Sequence, residues 1–108
     1  MSDFIAYLHE LFADFGPVST RKMFGGHGVF HDGLMIGLVA DDELYLKADK
    51  ISAPTFAAEG STPFVYGKGS KQVQMSYYRA PAEALDDPAE MLPWAQLAFA
   101  AACRVKKK

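Results

Sequence analysis

The chain has 108 residues, of which half are hydrophobic and 13% aromatic, and its formal charge is −2. These values fit one globular domain with one core, and they exclude a disordered chain or one drawn to nucleic acid by its overall charge. Cys103 is the single cysteine, so an intrachain disulfide and a cysteine-built zinc cage are both ruled out, as expected in a reducing cytoplasm.

The N-terminus carries no basic segment ahead of an apolar run, so no signal peptide is expected. Phe4, Ile5, Leu8, Leu11, Phe12 and Phe15 then recur along one helical face, with Asp3, Glu10 and Asp14 opposite. Gly16-Pro17 ends that helix. Residues Thr20 to Phe24 and His27 to His31 read as a kinked strand or as two short ones, with the glycines at 25, 26 and 28 forming a bend or bulge. Asp32-Gly33 signals a tight hairpin, followed by a buried strand from Leu34 to Val39. Asp41-Asp42 turns the chain into a strand from Glu43 to Lys47, completing a three-stranded meander.

Ser52 is placed to cap a short helix with Pro54 in its first turn and Phe56 as its anchor. A second hairpin follows. Pro63 to Tyr66 opens it, Gly67 to Lys71 forms its loop, and Val73 to Arg79 returns. Asp87-Pro88-Ala89-Glu90 has the acidic cap, the early proline and the glutamate that start a helix. Pro93 predicts a kink or a restart there. From Leu92 to Val105 the helix is apolar almost all round, so it is buried on several sides or its outer side meets a partner. The run from Met91 to Cys103 is too short to cross a bilayer. The expected architecture is α+β and two-layered, in the order α-β-β-β-α-β-β-α, with helices packed on an antiparallel sheet.

Chemistry-bearing patterns are sparse. His27 and His31 lie about 13 Å apart along an extended strand, too far for one metal ion unless a bulge folds them together. The Gly67-Lys68-Gly69-Ser70-Lys71 loop has neither the spacing nor the following helix of a phosphate loop. Tyr45, Lys47, Tyr77, Tyr78 and Arg79 could offer aromatic rings and cations on a sheet face, as single-strand binders do. Tyr77 and Tyr78 point to opposite faces, so only one belongs to such a platform. No catalytic constellation, metal site or cofactor motif emerges, and the expectation is a protein that is not an enzyme.

Several stretches nevertheless resemble one family. Arg21-Lys22-Met23-Phe24-Gly25-Gly26-His27-Gly28-Val29-Phe30, Leu44 to Asp49, Pro63 to Tyr66, Met75 to Pro81, and Pro93-Trp94 with its alanine-rich helix are similar to the TfoX/Sxy N-terminal domain family. The resemblance runs from the first helix to Ala102. It implies a secretion-chaperone-like α+β fold and kinship with regulators of competence for DNA uptake, which act together with the cAMP receptor protein. Those regulators carry a second, helical domain; here the expectation is a stand-alone N-terminal domain over residues 1–108, with Lys106, Lys107 and Lys108 as a flexible tail.

Three roles follow. The first is a cytoplasmic regulatory module working through protein contacts, including a homodimer, with Trp94, Leu97, Phe99 and Ala101 as interface candidates. The second is a nucleic-acid binder using Arg21, Lys22, Lys68, Lys71, Arg79 and the terminal lysines. The third is an anion or ligand site at the Gly25-Gly26 turn, with His27 and Arg21 as its polar groups. No membrane contact is expected.

Overall fold

The computed structural model describes residues 3–23, 26–68 and 71–106; the side chains of residues 3, 66–68 and 71–75 also lie outside the described set. The elements run α1 (Asp3–Leu11), β1 (Ser19–Met23), β2 (Gly26–His31), β3 (Leu34–Ala40), β4 (Glu43–Lys47), α2 (Ala53–Ala58), β5 (Pro63–Lys68), β6 (Lys71–Arg79) and α3 (Pro88–Lys106), with a 3-10 turn at Ala82–Leu85 before the last. The sheet is antiparallel and six-stranded, in the order β1-β2-β3-β4-β6-β5. This is the expected α+β layer of helices on an antiparallel sheet. The kinked segment proves to be two strands: Met23 pairs with Gly26, so the chain reverses between them and β1 becomes an edge.

α1 is shorter than its apolar stripe. After Leu11 the chain tightens into turns, with Ala13 N–H donating to the Glu10 carbonyl and Gly16 N–H to that of Phe12, and Gly16 adopts φ +149. Phe12 still reaches the core and Phe15 still packs against it. The β2–β3 and β3–β4 hairpins use left-handed residues: Asp32 and Gly33 at φ 53 and 79, Asp41 and Asp42 at φ 53 and 59. Aspartate tolerates this conformation because its short side chain bonds locally.

Three expectations change. Ser52 stands at the N-cap of α2, but its hydroxyl makes no capping bond; it accepts from Asp49 N–H at 3.0 Å and donates to Asp49 Oδ1 at 3.1 Å. The second hairpin is longer than Pro63 to Tyr66 and Val73 to Arg79 implied. Lys68 pairs with Lys71, so the strands consume most of the expected loop. α3 does not restart at Pro93 but runs unbroken to Lys106, one residue into the lysine run. The bond that Pro93 cannot donate belongs to the carbonyl of Ala89, an exposed residue that water can satisfy. Its start is as expected: Glu90 N–H donates to Asp87 Oδ1 at 2.9 Å.

The core lies between the helices and one face of the sheet. Ile5, Leu8 and Leu11 of α1, Phe56 of α2 and Met91, Ala95 and Ala98 of α3 enclose Val29, Val39, Leu44 and Leu46. The alanines let α3 approach the sheet closely, which is why that helix needs so few large side chains. Beneath α2, Phe56 stacks on Tyr78 at 5.6 Å and meets Trp94 at 5.1 Å. At the rim, Arg104 clamps Asp49 through Nε and Nη2, the latter 3.0 Å from Oδ1, while Ile51 and Ser52 donate their N–H groups to the same carboxylate.

Candidate functional site

Registered partners in an antiparallel sheet share a face, so the pairing separates the side chains into two sets. Arg21, Gly28, Leu38, Tyr45 and Arg79 form one rung across five strands, on the face opposite Leu44, Leu46 and the helices. Lys47 and Tyr77 form a neighbouring pair on that face. This uncovered face is the main feature available for recognition.

It carries an apolar island. A Cβ built on Gly28 would lie 2.9 Å from the Phe30 ring, 3.0 Å from Met23 Sδ and 3.3 Å from Met35 Cε, so those side chains close over a strand position that glycine leaves bare. The Arg21 guanidinium sits 5.1 Å from the Phe30 ring centroid, and Lys47 Nζ 5.0 Å from that of Tyr77. Tyr45 packs on Phe64 at 4.8 Å, and its hydroxyl donates to Glu43 Oε2 at 3.3 Å. Glu43 also pairs with Arg79.

Burial sets the electrostatics here. It pushes the Tyr77 phenol up and the Lys47 ammonium down, and it raises Tyr45, helped by the negative Glu43 beside it. The face is therefore partly dry. Tyr77 is only 8% exposed and Leu38 only 3%, although neither belongs to the helix-covered core.

The structure sorts the candidate residues. Tyr77 joins Tyr45, Lys47 and Arg79 on the open face, whereas Tyr78 packs under α2. Arg21 lies on that face too, but Lys22 pairs with His27 on the other, so the basic candidates do not form one surface. For the same reason Arg21 and His27 diverge and do not serve one anion at the glycine turn; Gly25 itself lies outside the described residues. The side chains of Lys68 and Lys71, with Lys107 and Lys108, also fall outside them.

On α3, Ala101 has no exposed surface, while Trp94, Leu97 and Phe99 pack against the core with part of each left open. Phe99 meets Phe15 at 5.9 Å and His31 at 5.1 Å. The His31 ring lies 4.5 Å from Phe15, with Nδ1 2.7 Å from the Pro17 carbonyl, so this histidine is built into the domain.

Sequence reasoning missed two features. The Met23-Phe30-Met35 island needs the register of three strands, although Gly28 inside a strand-like run was a local sign of close approach. The Asp49–Arg104 clamp joins residues 55 apart, and no local pattern announces it. Arg104 holds the Asp49 carboxyl well below the usual carboxylate range, aided by the Ser52 hydrogen bonds and opposed by burial.

Fold and surface define a small α+β domain with its helices on one sheet face and a methionine- and aromatic-bearing face left open. The chain matches the TfoX N-terminal domain over residues 10–102 and belongs to that family. It is similar to Protein Sxy of Escherichia coli (strain K12), with 31% identity over 70 residues, covering 65% of this chain and 34% of that protein. The chain thus spans about a third of the length of the curated relative it matches. Among the described residues no helix is long and apolar enough to cross a membrane.

Proposed function

We propose that this domain is a non-enzymatic regulatory module, akin to the N-terminal domain of competence regulators, that acts by docking a protein partner on its uncovered sheet face. Family membership supports the regulatory role. The observation that carries the mode of action is the island of Phe30, Met23 and Met35 over Gly28, rimmed by Arg21. Methionine and aromatic side chains give an adaptable apolar centre, and the Arg21 guanidinium beside it favours a partner with an acidic group at its rim.

The same geometry argues against a nucleic-acid platform. Base stacking needs open ring faces, and here Arg21 lies over Phe30 and Lys47 over Tyr77. The exposed parts of Trp94, Leu97 and Phe99 make α3 the weaker docking surface, since their packing on the core accounts for most of their apolar area.

The test places a photocrosslinking residue at Met35, at Trp94 or, as a control, at Glu10 on α1, in cells producing the full chain. The expected outcome is a discrete protein adduct from position 35 that Arg21→Glu abolishes. An adduct from position 94 alone moves the interface to α3 and overturns this reading. DNA binding by the purified protein at low salt, falling steeply as salt rises, replaces it with the nucleic-acid alternative.

A further inference from the structure

The glycine-rich hairpin retains a feature that docking on the open face does not use. At the free end of β1 and β2 lies a pocket of about 340 Å³, lined among the described residues by Lys22, Met23, Gly26 and His27. That volume is at the low end for small-ligand sites, which run from roughly 300 Å³ upward.

Its polar lining is one-sided. Lys22 and His27 are direct cross-strand partners, which brings their Cβ atoms within roughly 5.5 Å of each other on one face. Lysine offers only donors, and imidazole presents at least one N–H in either tautomer. No carboxylate lines the pocket among the described residues, and there neither side chain has a hydrogen-bond or ion-pair partner. Met23 also borders the pocket, but its side chain belongs to the opposite face, beside Gly28 and Phe30. Gly26 holds the hairpin end in place: a Cβ there would stand 1.9 Å from the Val39 carbonyl oxygen, so β2 runs against β3 at a distance that only glycine permits. The lysine and the imidazole are therefore presented from a braced strand pair.

We infer that this pocket binds the oxyanion of a small ligand, a phosphate or carboxylate, with Lys22 and His27 as donors. Arg21 takes no part, because its side chain lies on the opposite face over Phe30. This neighbouring cation provides an internal control.

Inorganic phosphate and acetate serve as probes, each titrated at constant ionic strength into the isotope-labelled full chain, with the His27 ring and Gly26 amide followed by NMR. The expected result is a saturable shift at both reporters with at least one ion. Lys22→Ala weakens binding by roughly tenfold, and Arg21→Ala leaves it unchanged. Preference for phosphate assigns a phosphorylated ligand; equal or better binding of acetate assigns a carboxylate; either supports the site. Shifts that never saturate with either ion, or that Arg21→Ala reduces as much as Lys22→Ala, overturn it, because both results describe diffuse attraction. Lys22 is exposed, so its loss leaves the fold intact. His27→Gln, which retains a donor, tests the second group by weakening binding less than His27→Ala.

Discussion

The two faces of this sheet come from the same strands and the same alternation, yet they are finished differently. Against the helices, Val29, Val39, Leu44 and Leu46 meet Phe56, Met91 and the alanines of α3 in a sealed core. On the other face, Phe30, Tyr45 and Tyr77 are topped or edged by Arg21, Glu43 and Lys47. One side is closed by another layer of the protein, the other by its own long polar side chains. Long cationic stems can cover rings and still move aside, so the second finish hides apolar surface without committing it.

The sharpest break of this contrast is a pair of truncations. Phe56→Ala should cost about 3–5 kcal/mol, measured by denaturant unfolding, because it empties a sealed site. Phe30→Ala should cost only about 1 kcal/mol, since its site already borders solvent. Equal losses would mean that the open face is a second core.

Two glycines refine the comparison. Gly26→Ala drives a Cβ into the Val39 carbonyl and should fall at the upper end of the roughly 1–3 kcal/mol that overpacking costs. Gly28→Ala meets mainly the movable ends of Phe30, Met23 and Met35, and should cost less by the same measurement. A reversed order would show the island to be rigid.

At the rim of the covered face, Arg104→Ala should lower Tm by a few degrees at neutral pH. The folded Asp49 carboxyl is depressed below its unfolded value, so its contribution is present above roughly pH 4. That contribution fades as acid protonates the folded carboxylate at lower pH, so the Tm gap between the parent and Asp49→Asn should narrow there. Arg104 is partly exposed, and salt should shrink the gap as well. A gap independent of both pH and salt would mean that packing, not charge, ties α3 to this loop. The smallest effect belongs to Lys47→Met. The contact over Tyr77 is worth roughly 0.5–1 kcal/mol, and the mutation relieves the burial of the ammonium, so thermal unfolding should shift by less than a degree or two.

Much of this fold was readable because its signals are local. Asp32-Gly33 and Asp87-Pro88-Ala89-Glu90 state a hairpin and a helix start within four residues, and alternation alone separated Tyr77 from Tyr78. What could not be read depends on distant partners. The apolar sides of α3 suit either a core or an interface, and only the folded chain shows that Ala101 is enclosed. Lys22 and Arg21 looked like one basic cluster until pairing with His27 and Gly28 sent them to opposite faces. Pro93 signalled a kink or a restart, and the helix does not restart there because the exposed Ala89 leaves its carbonyl open to water.

The strand order also bears on how the chain is made. β6 lies between β4 and β5, so β5 emerges from the ribosome before the strand that must join it to the sheet. Val29, Val39, Leu44 and Leu46 likewise wait for α3 to complete the cover that α1 and α2 begin. A chain halted before Pro88 would hold the sheet under α1 and α2 alone, so α3 is the element that seals the core and ends the exposure of apolar surface during synthesis.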